Sequence, residues 1–397
     1  MARDHLASAR GHALDGAVEH ASILVTTGAG GVGKTTTAAA LGLAGARAGR
    51  RTLVMTIDPA RRLAQSMGLD TLASEPQQVD LGSMGAFDGD DEAGEAGELW
   101  AMMLDMESTF DQLIDRHASD RKSAETIKNN RIYQTLSSTL SGTQEYMAME
   151  KLHELHEDGS WDLLIIDTPP TRSALDFLDA PKRMTSFLEG RLLSLLMRPG
   201  MAAGKGYLRA VGFGATGFMK IAGKVTGMEL LNDLGEFFRN FEGMYAGFKE
   251  RADAVLRLLQ RPDSLFVVVT TPQPPPLREA HFFLERLEQE GLHTAGVVVN
   301  RLSVDCDAAP PDEVLRDAAK AQPDDLEGRA VAGVLRLLAD VRNLAARERR
   351  DVEAALFGMR LPALVEVPLL RSDVHDLTTL RHIADALTST DPARLAS

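Results

Sequence analysis

The sequence predicts an α/β fold, a doubly wound and mostly parallel sheet carrying an inserted helical subdomain. Three observations support this: short apolar runs recur along the chain, helix-patterned segments separate them, and a glycine-rich turn joins the first run to the first helix. Apolar runs without polar alternation are what strands covered on both faces look like. They are Ile23–Thr27, Thr52–Ile57, Asp162–Ile166, Leu265–Thr270, Ala295–Val299 and Ala363–Val367. Thr36–Ala48 and Arg278–Glu290 read as connecting helices. Two long gaps break the alternation, one mostly helical from Gly97 to His156 and one from Ser173 to Gln260, and both are assigned to the insert. The expected layout is an N-terminal extension (1–20), core segments 21–87, 157–172 and 262–397, and helical segments 88–156 and 173–261. Residues 88–98 are acidic and glycine-rich and read as a solvated loop. No internal duplication is visible, so a single core unit is expected.

Composition narrows the function classes. Apolar residues make up 44% and charged residues 25% of the 397, ordinary for a globular chain. A net charge of −14 argues against a broad footprint on nucleic acid or anionic lipid. The single cysteine, Cys306, permits no internal disulfide and no cysteine-pair metal site, which fits a reducing compartment. The first residues lack the apolar core of a secretory signal. The most apolar stretch, Leu192 to Met219, is interrupted by Arg198, Lys205 and Arg209. A cytoplasmic protein is expected, with any membrane contact peripheral.

The turn reads Gly28-Ala29-Gly30-Gly31-Val32-Gly33-Lys34-Thr35-Thr36 and matches G-x-x-x-x-G-K-[ST] between a strand and a helix. That makes the fold a P-loop NTPase. Glycines let backbone N–H groups turn inward around phosphate oxygens. Lys34 sets an ammonium between the β and γ phosphates, Thr35 offers a hydroxyl to Mg²⁺, and the helix N-terminus adds its positive end. ATP and Mg²⁺ are the expected cofactors and ATP hydrolysis the expected reaction.

Asp167 ends the run before Thr168-Pro169-Pro170, where such an enzyme holds its metal, commonly through water. The prolines then carry the chain out of regular structure into a loop suited to sensing the γ-phosphate. Asp58 follows the second run, in Ile57-Asp58-Pro59-Ala60-Arg61-Arg62. Its position fits either an acid that orients or deprotonates water, or a helix cap.

These motifs resemble the ArsA-type ATPases, a family that includes the arsenite-pump ATPase and the ATPase that targets tail-anchored membrane proteins. The resemblance rests on GGVGKTT, DPA and DTPPT, and continues in Ser141–Glu145, Thr271-Pro272 with Arg278-Glu279, Val297–Asn300 and Val367–Leu370. It implies that Asp58 and Pro59 lie in switch I with Asp58 the hydrolytic acid, and that Asp167, Thr168, Pro169, Pro170 and Thr171 form switch II. It also implies that Asn300 bonds adenine, that the segment from Pro368 to Leu370 closes over the base, and that the protein acts as a homodimer or as a heterodimer with a sister ATPase. One departure is Ala29, which stands where the family's deviant Walker A loop carries a signature lysine. Arg172 is our candidate for the replacement cation, although a solvated arginine fits the sequence equally. A second departure is the lone cysteine, which leaves no thiolate cluster for arsenite, and a third is the single ATPase unit where arsenite-pump ATPases typically carry two, a count that dimerisation would restore.

Gly190 to Gly247 is rich in Gly, Met and Phe, and resembles in position the client-binding helices of the targeting ATPases. Met197, Met201, Phe213, Phe218, Met219 and Met228 are the candidate contacts for a hydrophobic client or membrane-associated partner. Met102, Met103 and Met106 read as core, and the amphipathic stretch His375 to Leu387 as a helix packed on the sheet rather than a membrane anchor. The function expected is an ATPase dimer whose cycle opens and closes the insert around such a partner. The alternatives are a catalytic subunit energising an anion transporter and a MinD- or ParA-like positioning ATPase.

Overall fold

Each apolar run forms a strand of one sheet in the computed structural model, which describes residues 6, 8–10, 12–57, 62–82, 97–118, 120–130, 143–169, 250–304, 309–370 and 373–389. In chain order the strands are β1 (Ile23–Thr27), β2 (Thr52–Thr56), β3 (Gln77–Gln78), β4 (Leu99–Met103), β5 (Leu163–Asp167), β6 (Ser264–Thr270), β7 (His293–Leu302) and β8 (Leu364–Pro368). They lie in the order β3-β4-β2-β5-β1-β6-β7-β8, and every pairing is parallel except β3 with β4. Every residue of β1, β2 and β5 is buried, which is why their sequences show no alternation. β1 sits between β5 and β6, so connections leave it in both directions and a crevice opens at its carboxyl end.

The helices include α1 (Asp15–His20), α2 (Lys34–Arg47), α3 (Arg62–Ser66), α4 (Met106–His117), α5 (Arg121–Lys128), α6 (Thr143–Asp158), α7 (Pro274–Gln289), α8 (Asp312–Lys320), α9 (Leu326–Ala355) and α10 (Leu377–Thr388). α2 is nearly all Ala, Gly, Leu and Thr and is buried along most of its length. It packs on the strands and on α10, whose Leu377, Leu380, Ile383 and Leu387 are buried as the amphipathic pattern predicts. The N-terminal extension joins the same core through Leu14 and Val18, and Leu14 N donates to Leu387 O at 2.8 Å.

One expectation is corrected. Leu99–Met103, read as the start of the helical insert, is a sheet strand paired in register with Thr52–Thr56. Its Leu-Trp-Ala-Met-Met sequence favours helix as readily as strand, and the free edge of β2 decides the matter by pairing. Met102 is accordingly core.

The chain divides into two units. The first comprises Met1–Leu104, Glu154–Leu175 and Leu258–Ser397 and contains the sheet; the second comprises Asp105–His153 and Asp176–Arg257. In the second, α4 and α5 pack together, and buried Glu150 accepts Arg251 Nε at 3.0 Å and the Tyr146 hydroxyl. Burial, with Glu150 second, pushes the Tyr146 hydroxyl well above its usual pKa. Among the described residues no helix is long and apolar enough to cross a membrane.

Candidate nucleotide site

The site is assembled from the carboxyl ends of β1, β2 and β5 and the first turn of α2. β1 runs straight into the glycine loop, and two glycines there are demanded by geometry. Gly28 has φ 148°, and a Cβ on it would collide with the Val269 carbonyl of β6. Gly33, the residue before α2, has φ 102°, and a Cβ on it would collide with the Asn300 side-chain amide. At Gly31 a Cβ would meet nothing within 4 Å, so the loop faces open space there. Val32 is buried in the core cluster and anchors the loop, and Ala29 packs against the same cluster.

The buried Lys34 donates from Nζ to the carbonyl of Ala29 at 2.9 Å, so its ammonium lies across the loop rather than in solvent. Thr35 Oγ1 donates to Asp167 Oδ2 at 2.7 Å. Thr56 Oγ1, from the end of β2, donates to the same oxygen at 2.9 Å. Asp167 is fully buried, and the parallel register places it level with both Thr26 and Thr56. Beyond it, Thr168 is tied to β1 by a 2.8 Å hydrogen bond from Oγ1 to Thr26 O. Thr56 and Thr26 were not legible as site residues, because a threonine near the end of a strand carries no signal until the register sets it beside an acid.

A hydroxyl and a carboxylate converging at a P-loop are hard oxygen donors, and magnesium is usually held by one or two such groups with phosphates and water. Among the described residues no cluster of three or more His, Cys, Asp or Glu could hold a metal by itself. Thr35 and Asp167 are donors of the kind that would suit Mg²⁺.

Asn300, expected at the base, braces the loop in this structure. Its Nδ2 donates to Val32 O at 2.8 Å, and its Oδ1 accepts the Arg301 N–H at 2.9 Å. Arg301 is left-handed at φ 60°, inside the register irregularity between β7 and β8, and this kink helps re-aim the preceding side chain. Pro368 ends β8, where Leu369 N donates to Leu302 O at 2.9 Å, while Leu370 packs on the core and Leu369 is exposed. Asp58, Pro59, Pro170, Thr171, Arg172, Cys306 and the client candidates Met197, Met201, Phe213, Phe218, Met219 and Met228 lie outside the described residues.

A parallel sheet with a glycine loop at its central switch point, a lysine and threonine opening the next helix, and a buried strand-end acid define a P-loop ATPase. Residues 21–325 match the model of the family described as anion-transporting ATPase, and the chain belongs to that family. By that membership it is an ATP hydrolase. It is 22% identical over 381 residues to a protein of Aquifex aeolicus named as arsenical pump-driving ATPase 1, covering 93% of this chain and 79% of the relative. It is 24% identical over 291 residues to the ATPase Get3 of Schizosaccharomyces japonicus, covering 73% and 77%. A protein of Halobacterium salinarum named as an arsenical pump-driving ATPase is 30% identical over 176 residues, covering 43% of this chain and 26% of the relative.

Proposed function

We propose that this chain hydrolyses Mg-ATP as a dimer and uses the cycle to open and close its helical insert around a hydrophobic client or a membrane-associated partner. The observation that carries the proposal is the double hydrogen bond to Asp167. One carboxylate oxygen joins the phosphate loop, through Thr35, to the end of β2, through Thr56. Thr56 O in turn accepts the N–H of Leu104 at 2.9 Å, one residue before the chain enters the second unit at Asp105. Thr35 can give its oxygen to a metal while its hydroxyl hydrogen stays on Asp167, so a bound metal would bear on the same carboxylate oxygen that holds the end of β2 through Thr56. A ligand that binds two arrangements of that end unequally shifts the population between them.

In the working site Lys34 releases the Ala29 carbonyl and turns its ammonium to the β and γ phosphates, at little cost in reach. The backbone N–H groups of Gly30 to Thr35 hold the phosphate oxygens, and Asp58 accepts the proton of the attacking water. Thr35 and Asp167 would hold Mg²⁺, which would supply charge neutralisation on the phosphate oxygens. Asn300 exchanges Val32 O for the adenine edge, and Leu370 closes from the other side. Arg172 supplies the cation that Ala29 lacks.

The test combines light scattering with crosslinking. The Asp58→Asn variant with Mg-ATP should form a stable dimer that crosslinks to a transmembrane-type apolar peptide, and ADP should reverse both. A variant that binds ATP, stays monomeric and captures no peptide would end this reading. The arsenical-pump names among the relatives support a second one, an ATPase subunit energising an anion transporter. Stimulation of hydrolysis by an oxyanion and not by the peptide would select it.

A further inference from the structure

The most exposed apolar surface among the described residues lies on α9, far along the chain from the glycine loop. The family match stops at residue 325, and α9 begins at Leu326 and runs for 30 residues. Asp325 caps it, accepting the Gly328 N–H at 2.7 Å. One face is core: Ala332, Ala339, Ala345 and Val352 are buried, and α8 and α7 pack on the helix. The opposite face carries Ala330, Val334, Leu337 and Leu344, with Val341 half-buried between the last two. Val334 is 65%, Leu337 63% and Leu344 45% exposed, with Val331 beside them at 41%. A lone exposed leucine needs no explanation, but a continuous stripe does.

The spacing of the stripe runs four, three, four, three, which is the seam of a helix that packs against another helix. One rim of the seam is basic. Helical spacing puts Arg329, Arg336 and Arg347 on it, and the acid there, Asp340, is already bonded to Arg316 at 2.7 Å. Arg329 pairs with Asp324 at 3.0 Å, whereas Arg336 and Arg347 have no carboxylate partner among the described residues.

A second copy of α9 does not answer that rim. Antiparallel self-pairing sets the arginine rim against the same rim of its twin. Parallel self-pairing sets that rim against Leu338, Ala345 and Val352 of the twin, which offer no charge. A lipid surface answers it poorly: the stripe has no aromatic and no lysine, and the chain's net charge of −14 opposes anionic lipid.

We infer that the outer face of α9 is a docking surface for an amphipathic helix of another protein, one presenting Leu, Ile or Val at heptad spacing with Asp or Glu along one flank. The seam supplies the apolar burial, and Arg336 and Arg347 set the orientation of the incoming helix. This goes beyond the ATPase cycle and needs no nucleotide.

The probe is a labelled synthetic heptad peptide with Leu at a and d and Glu at e and g, whose strands repel one another and stay available. Its Lys-substituted counterpart is the control. Fluorescence anisotropy with the full chain should show saturable binding of the Glu peptide, weaker binding of the Lys peptide, and weakening by salt. Val334→Asp with Leu337→Asp should loosen the Glu peptide by about tenfold or more. Arg336→Glu with Arg347→Glu should reverse the preference between the peptides. All four side chains are on the solvent side, so ATP affinity and melting temperature should hold, and the arginine pair remains a test if the apolar pair does not fold. Equal binding of both peptides, or binding indifferent to either double variant, overturns the inference. So does concentration-dependent dimerisation abolished by Val334→Asp with Leu337→Asp, which points to a second copy, or sedimentation with phosphatidylserine vesicles lost in the same variant, which points to a membrane.

Discussion

At the carboxyl ends of β1, β2 and β5 the side chains are small and polar, and they bond to one another across neighbouring strands: Thr35 and Thr56 to Asp167, Thr168 to the backbone of Thr26. At the amino ends of β2, β4 and β5 they are large and mixed. The Arg51 guanidinium lies 5.5 Å from the Trp100 ring centre and 4.8 Å from that of Trp161, and those rings meet edge to face at 5.7 Å. Glu98 accepts both Arg51 Nε and Trp100 Nε1 at 2.9 Å, and Arg51 N donates to Asp162 Oδ2 at 2.8 Å. One end holds exchangeable hydrogen bonds on a face that must accept a ligand. The other is a closed clasp whose groups satisfy one another. Strand direction explains the division, since ligands of open α/β sheets bind beyond the carboxyl ends.

The sharpest way to break that contrast is at Lys34. Lys34→Ala should lower kcat by about 10²- to 10³-fold, the loss typical of a preorganised charge at a developing anion, while the unfolding midpoint stays close to wild type. Asp167→Asn keeps an acceptor for both threonines but removes the charge proposed to hold the metal. It should cost about 10- to 100-fold in activity and raise the magnesium needed for half-maximal rate. Arg51→Ala at the other end should do the opposite. Urea titration should show a loss of about 1–2 kcal/mol from the two ring contacts, with tryptophan emission shifted and ATP affinity unchanged. A change in ATP affinity would mean the two ends are coupled.

The smallest effect is expected at the cap of α10, which packs behind the phosphate-loop helix. Hydrogen bonds from the Thr379 side chain and then its backbone hold the Asp376 carboxyl below its ordinary pKa. A depressed folded value means that the cap's contribution is fully present above the unfolded aspartate pKa of about 3.9, and is lost as pH falls through the folded value. Asp376→Ala should cost about 1 kcal/mol near neutrality and nothing once the acid is protonated, which acid-range melting curves will show.

Much of the site was legible because it is contiguous. Gly28 to Thr36 states its own backbone requirement, and Asp167 announces itself as a charge closing a run of buried residues. β4 was not legible, because Leu-Trp-Ala-Met-Met satisfies helix and strand patterns alike and only the neighbouring edge of β2 chose between them. Thr56 was missed for a different reason: its partner lies 111 residues away and is brought level by strand register. Asn300 was placed at the base by resemblance, yet its amide holds Val32, a contact across 268 residues that no local pattern encodes.

By itself, then, the chain determined its strands, its phosphate loop and the acid opposite it. Each of these is written in neighbouring residues through backbone freedom, periodicity and burial. Folding in three dimensions decided which hydroxyls share Asp167, which segment extends the sheet, what Asn300 braces and which face of α9 is left bare. Those follow from parallel pairing and helix packing, and both join residues whose separation in sequence carries no information about their distance in space.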